Sequence, residues 1–239
     1  MIQFYAPEIK ATGRLPQEES AHCIRVLRKR AGDRIFVTDG IGNRFECLIT
    51  DANPKQAAVK IVAEESISPT RNFSITLLVA PTKNADRMAW LVEKAVEIGV
   101  DRIIFCSCRH SERKNVNVDR LRKITVSAMN QSLKTRLPEV EGMVPLSDVL
   151  SVKGEKYFGY CDANHPRTPF VDLYTPDADV AIAIGPEGDF SQDEVEKMIA
   201  SGFKPVTFGN ERLRTETAAL YAVTAVHVLA ELKKESQSL

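Results

Sequence analysis

The chain has no apolar run approaching the roughly 20 residues that cross a bilayer, so no membrane-spanning helix is expected. It has no net charge either, with 32 Lys and Arg against 32 Asp and Glu, so no global field points to a polyanion. Cysteine is sparse. Cys23, Cys47, Cys106, Cys108 and Cys161 make an odd set without C-x-x-C spacing, and no signal peptide is expected ahead of them. Reduced thiols in a soluble, cytoplasmic protein are the expectation. Cys106-Ser-Cys108 with His110 lacks the second ligand pair of a structural zinc site, so no metal is expected. No G-x-x-x-x-G-K-[ST] loop occurs, and Pro81-Thr-Lys-Asn84 lacks the glycines of a dinucleotide fingerprint. No G-x-S-x-G elbow occurs, and four scattered histidines give no hydrolase spacing.

The 239 residues, 44% of them hydrophobic, suffice for one large domain or two modest ones. Residues 1–70 read as β-rich, with strands over Ile2–Tyr5, Arg34–Thr38, Phe45–Ile49 and Ala58–Val62. Asp39 to Asn43 joins two alternating runs as a hairpin loop, and the set suggests a small barrel. A helix over Ser20–Arg30, capped by Ser20, ends in a basic cluster before Gly32. Those cations suit either a helix C-terminus or RNA phosphate.

Ser68-Pro69-Thr70 reads as a linker. Residues 71–239 then alternate strand and helix, the signature of a parallel sheet with crossover helices. Strands are expected at Phe73–Ala80, Arg102–Cys106 and Tyr157–Cys161. A helix over Asn84–Ile98 turns Met88, Leu91, Val92, Ala95 and Val96 to one face and closes at Gly99. A second helix over Val118–Ser132 turns Leu121, Ile124 and Ala128 inward. The last, Ala218–Ala230, is apolar nearly all round and needs cover beyond its own sheet, which predicts a dimer contact. His227 lies inside that run and reads as a packed side chain.

Two C-terminal segments carry the most information: Ala181-Ile-Ala-Ile-Gly-Pro-Glu-Gly-Asp-Phe190 and Val206-Thr-Phe-Gly-Asn-Glu-Arg-Leu-Arg-Thr-Glu-Thr217. Each reads as strand, tight turn, helix. Val180–Ile184 has the length and β-branching of a buried strand, and Ser191 with Glu194 fits a capping box. Pro205–Phe208 is a shorter strand ended by Gly209, with Thr215 or Thr217 as a cap. Two such turns at the carboxyl edge of a parallel sheet form a backbone-lined crevice where ligands bind. Backbone groups there can read an adenine edge while apolar side chains hold its ring. Charge is uneven as well. Residues 102–136 hold nine Lys or Arg against two acids, whereas residues 170–200 hold eight acids and one base. The first stretch supplies a basic face.

Ile184-Gly-Pro-Glu-Gly188 followed by Phe208-Gly-Asn-Glu-Arg-Leu-Arg-Thr-Glu-Thr-Ala218 resembles the 16S rRNA uracil-N3 methyltransferase family, RsmE, of the SPOUT class. His22-Cys-Ile-Arg-Val-Leu-Arg28, Lys83 with Arg87, Glu93–Gly99, Arg109-His-Ser111 and Asn130-Gln-Ser with Arg136-Leu-Pro138 match in family order, so the resemblance covers the chain. It implies an α/β fold, a SPOUT α/β knot with a C-terminal trefoil knot and a mainly parallel sheet in residues 71–239. It implies an N-terminal PUA-like β-barrel, RNA-binding, in residues 1–70, and a homodimer. The implied cofactor is S-adenosyl-L-methionine, surrounded by Ile184, Gly185, Pro186, Glu187, Gly188, Phe208, Gly209, Leu213, Arg214 and Thr215. The implied partner is 16S rRNA or the small ribosomal subunit.

Methylating N3 of a uracil requires alignment, loss of the N3 proton and stabilisation of the uracil anion. Arg214 is the candidate for the charge and Glu216 for the proton. Arg113, Lys114, Arg120, Arg122, Lys123 and Lys134 could follow an RNA backbone, with Arg25, Arg28, Arg109, Gln131 and Arg136 as the selected contacts. Where the family pattern reads Glu-Gln-x-Gly-Arg, this chain has Asn130-Gln-Ser-Leu-Lys134. Another RNA position as target, or a non-catalytic RNA-binding assembly factor, are the competing readings.

Overall fold

The computed structural model describes residues 2–161 and 168–236. Contacts divide the chain into two compact units, residues 1–70 with 126–137, and residues 71–125 with 138–239.

In the first unit the sheet order is β1 (Gln3–Tyr5), β2 (Arg34–Thr38), β3 (Asn43–Asp51), β4 (Ala58–Ser66). β1 runs parallel to β2, and the other two pairings are antiparallel. Ile35 and Val37 on β2, and Phe45, Cys47 and Ile49 on β3, are buried at every second position. That period places one face of the pleat in the core with Phe4, Ile9 and Leu15. Each full burial of such a side chain contributes about 1.5–3 kcal/mol. In the β2–β3 loop, Asp39 Oδ1 accepts from the N–H groups of Ile41 (3.0 Å) and Asn43 (3.1 Å), which sets the turn.

A short helix α1 (Ile9–Thr12) and helix α2 (Gln17–Ala21) precede β2. The expected cap at Ser20 is corrected, because the helix starts earlier, after Pro16. Ser20 is buried inside it, donating to Leu15 O (3.0 Å) and accepting from Ala57 N–H (2.9 Å). The helix then widens into a π-helical turn over His22–Val26, and Arg28 beyond it takes a left-handed φ of 54°. Arg28, Lys29 and Arg30 therefore follow the helix instead of ending it.

Among the described residues the second unit is built on a seven-stranded sheet whose pairings are all parallel. In chain order it comprises β5 (Ile75–Val79), α3 (Ala85–Ile98), β6 (Arg102–Ser107), α4 (Val118–Gln131), β7 (Glu139–Pro145), β8 (Glu155–Gly159), β9 (Thr168–Pro169), α5 (Phe170–Leu173), β10 (Val180–Ile184), α6 (Gln192–Ala200), β11 (Lys204–Thr207) and α7 (Thr215–Ser236). The last turns of α4 belong to the first unit. Spatial order is β7-β6-β5-β10-β8-β11-β9, so β10 enters between strands laid down much earlier.

Its position explains its composition, since all five residues of β10 are buried. Asn84 caps α3, its Oδ1 accepting from Asp86 N–H (2.8 Å), and Met88, Leu91, Val92, Ala95 and Val96 are buried. α7 packs on α3, β5 and β10 through Ala219, Ala222, Val223 and Val226. Tyr221, Val228 and Leu232 remain about half exposed along its other side. His227 is packed, its Nε2 reaching Gly99 O at 3.1 Å. No helix among the described residues is long and apolar enough to cross a membrane.

Candidate functional site

The carboxyl ends of β8, β10 and β11 surround a cavity of about 1030 Å³. Open parallel sheets bind ligands at this edge, and loops leaving neighbouring strands build it. After β10 the chain turns through Gly185-Pro-Glu-Gly188, with Asp189 N–H donating to Pro186 O at 2.9 Å. Asp189 holds a left-handed φ of 61°. Its carboxylate accepts from Cys161 N–H (3.0 Å) and Phe190 N–H (2.8 Å), which fastens this loop to the end of β8. The capping box on α6 is present, Glu194 accepting from Ser191 N–H at 2.8 Å.

After β11, Gly209 takes a φ of 111° with no atom near its missing Cβ, a conformation that other residues reach only under strain. Thr215 is the first residue of α7 and not its cap. Its hydroxyl donates to Gly185 O at 3.0 Å, tying the two loops together. Thr217 lies inside the helix.

Ile184, Gly185, Pro186, Glu187, Phe208, Gly209, Leu213, Arg214 and Thr215 all line this cavity. Gly188 lies outside the lining, where a Cβ would stand 3.2 Å from His110 Cβ. Arg214 is exposed, and its carbonyl accepts from Ala218 N–H (2.8 Å) in the first turn of α7. Glu216 is buried and absent from the lining. Its Oε1 lies 3.5 Å from Arg87 Nη1, and its Oε2 has no partner among the described residues. Sequence reasoning missed Gly159, Tyr160, Cys161 and Asp189 as lining residues. The signal for the first three was available, because the predicted strand Tyr157–Cys161 ends at this edge.

The groups fit an adenosyl ligand with an amino-acid tail. Ile184, Phe208, Leu213 and Ala218 offer apolar surface, the backbone of both loops offers donors and acceptors, and Glu187, Arg212 and Arg214 stand along the lining. Gly159 and Gly185 are cradle positions, where a Cβ would come within 3.0 Å of Phe208 and 3.1 Å of Phe190.

The selected RNA contacts are exposed, and they differ in what holds them. Arg25, Arg28 and Gln131 are exposed, as is Arg109, whose Nη1 is 3.6 Å from Asp193. Arg136 is tied down, donating from Nη1 to Ile41 O at 2.7 Å. Arg113 clamps the β5–α3 loop by donating to Thr82 O (3.1 Å) and Lys83 O, and Arg120 pairs with Asp86 at 2.9 Å. Among the described residues no cluster could hold a metal. Burial pushes the Cys106 thiol up to about 12 and Cys108 further, which leaves both protonated and unreactive.

The family model for an RNA methyltransferase domain matches residues 69–227, and one for an RNA methyltransferase PUA domain matches residues 15–62. A probable rRNA-methyltransferase from Porphyromonas gingivalis is 42% identical, with 98% of this chain and 100% of that one covered at a TM-score of 0.91. Ribosomal RNA small subunit methyltransferase E from Neisseria gonorrhoeae, solved with S-adenosyl methionine, is 28% identical, covered at 96% and 98%, with a TM-score of 0.85. The protein of the same name from Rickettsia conorii is 27% identical over 220 residues, 90% of this chain and 89% of that one. With two thirds of its length under one model and that model preceded by its PUA companion, the chain belongs to the RNA methyltransferase family.

Proposed function

We propose that this protein transfers the methyl group of S-adenosyl-L-methionine to N3 of a specific uridine in 16S rRNA, in the cytoplasm, as a step of ribosome biogenesis. The observation that carries the reading is the cavity at β8, β10 and β11, whose lining includes nine of the ten residues expected around the cofactor. Relatives named for small-subunit rRNA, and a neighbour solved with the same cofactor, support it. When bound, the cofactor supplies an electrophilic methyl on a sulfonium. The chain supplies the rest: Ile184, Phe208 and Leu213 sandwich the ring, backbone groups of the Gly185 and Gly209 turns read its edge, and Arg214 stabilises charge developing on the uracil oxygens.

Residues 1–70 serve as the PUA-like RNA-binding domain and residues 71–239 as the SPOUT methyltransferase domain, its C-terminal segment threaded as a trefoil knot. Insertion of β10 between β5 and β8 supports the threading. The exposed stripe of Tyr221, Val228 and Leu232 on α7 supports a homodimer. Arg25, Arg28, Arg109 and Gln131 are exposed and reach 16S rRNA, which enters with the target uridine unpaired because pairing buries N3.

The test is transfer of labelled methyl to purified 30S particles and to free 16S rRNA, followed by nucleoside mass spectrometry. N3-methyluridine is the expected product. A ribose-methylated or other product would replace the substrate assignment, and cofactor-independent RNA binding alone would favour an assembly factor.

A further inference from the structure

A second cavity of about 360 Å³ opens beside the first, lined by Arg109, His110, Tyr160, Phe190, Gln192 and Asp193. Tyr160 borders both. Ligand pockets run from about 300 to 1,000 Å³, so this one suits a single planar base, with the buried rings of Tyr160 and Phe190 as walls.

How His110 is held determines what it can do. Cys108 N–H donates to Ser111 Oγ, and Ser111 N–H donates back to Cys108 O, both at 3.0 Å, which folds the loop after β6 into a tight turn. Glu194 in the first turn of α6 accepts from Arg109 N–H at 2.8 Å and anchors that turn. The ring then places Nδ1 at 3.1 Å from the carbonyls of both Gly188 and Asp189. A carbonyl only accepts, so Nδ1 carries the hydrogen, and the neutral ring keeps its lone pair on Nε2. No described group bonds Nε2.

We propose that His110 is the base that takes the N3 proton of the target uracil, seated in this second cavity; the inference rests on the function proposed above. N3 bonds to the methyl carbon as the carbon–sulfur bond breaks, and sulfur keeps that electron pair. The N3 proton passes to Nε2, so the positive charge that began on sulfur ends on the imidazolium, which releases the proton to solvent. Around the ring, Arg109 and Asp193 form a largely exposed pair at the rim. The carboxylates of Asp189 and Glu194 are occupied by backbone N–H groups. Glu216, facing Arg87, lies off the cofactor cavity.

The decisive variant is His110→Asn, whose amide keeps a donor for the Gly188 carbonyl and has nothing at the Nε2 position. Its S-adenosylmethionine affinity by calorimetry should stay within about twofold of the wild type. Methyl transfer to 30S particles should fall about 100-fold or more, and the acid limb of the pH–rate profile should vanish. Independently of activity, ¹⁵N NMR of the free protein should show His110 as the Nδ1–H tautomer, with uridine shifting its Nε2 resonance. An Nε2–H tautomer, or transfer by His110→Asn at the wild-type rate, would overturn the role of His110 and leave the proposed function standing. Absence of transfer by the wild type to either RNA substrate would overturn both.

Discussion

Two stretches of this chain make opposite use of their backbone. In residues 133–137 the carbonyls are taken up by neighbours: Leu133 O by Arg44, Lys134 O by Gln3, and Thr135 O by both Gly42 N–H and the Thr38 hydroxyl. Leu137 N–H donates to Gly40 O, and Arg136 reaches Ile41 O across Gly42, whose absent Cβ would meet the guanidinium at 2.5 Å. In the loops after β10 and β11 the backbone instead borders a cavity, and no hydrogen bond among the described residues involves Asn210 to Arg212. Buried backbone groups must find partners, and in that sense the first stretch is finished structure, whereas Gly209 to Arg212 are exposed residues that line the cavity. Arg136 and Arg214 are the same residue type, yet Arg136 is bonded to the Ile41 carbonyl while Arg214 lines the cavity. Counting cations along a sequence does not separate these uses.

The sharpest way to break the contrast is to fill the open region. Gly185→Arg places a Cβ against Phe190, at 3.1 Å before adjustment, and sends a long side chain toward the cavity. S-adenosylmethionine affinity measured by calorimetry should fall about 100-fold or more, equivalent to roughly 2.7 kcal/mol. Unchanged affinity would remove this cavity as the cofactor site.

The filled region has a polar defect of its own. Asn130 Nδ2 donates to Glu19 Oε1 at 3.3 Å, while Glu19 Oε2 and Asn130 Oδ1 are buried without partners. Burial pushes the Glu19 carboxyl up from 4.5 to about 7, and a protonated acid supplies the donor that this arrangement lacks. A carboxyl whose folded value is raised contributes stability that is complete below pH 4.5 and is lost as pH rises through 7. Glu19→Gln stays neutral throughout. Denaturation at pH 5 and pH 8 should therefore show the wild type losing on the order of 2 kcal/mol relative to the variant. Parallel stability curves would show that Glu19 ionises normally in the fold.

Thr215→Val tests the tie between the two open loops. The hydroxyl is buried, and its loss leaves Gly185 O without that donor. A cost of about 1 kcal/mol in stability is expected. Cofactor affinity should drop roughly fivefold, close to the same free energy.

Much of the parallel unit was legible because its signals are local. The five apolar residues of β10, the Ser191–Glu194 capping box and the apolar face of α3 closed by Gly99 each lie within a few turns of chain, and each formed as read. β7 was missed because Glu139-Val-Glu-Gly-Met-Val-Pro145 mixes charge, glycine and proline, as an edge strand can. β9 is two residues long and carries no pattern. Ser20 looked like a cap by residue type, yet its partners include Ala57, 37 residues away. Nine of ten expected cofactor contacts line the cavity because glycine turns after strands are a local signature. Arg113 and Arg120 were read along an RNA backbone from charge and Arg136 from the family pattern as well, and only long-range geometry shows what their guanidinium groups hold.

The smallest expected effect has the opposite sign. Leu133 sits at a φ of 57°, its carbonyl held by Arg44 at 2.8 Å and its N–H by Asn130 O at 3.2 Å, so the backbone is pinned where L-residues are strained. This is the position at which the family pattern Glu-Gln-x-Gly-Arg carries glycine. A left-handed conformation costs a non-glycine residue about 1–2 kcal/mol, and glycine loses about 0.5–1 kcal/mol more in chain entropy. The Leu133 side chain is 37% exposed and returns little by burial. Leu133→Gly should therefore stabilise the protein by roughly 0.5–1 kcal/mol, raising the melting temperature by about 1–4 °C. Methyl transfer should be unaltered, since the segment is finished structure. A loss of stability would show that packing of the leucine, and not its backbone angle, decides this site, and would place the departure from the family pattern among side-chain contacts.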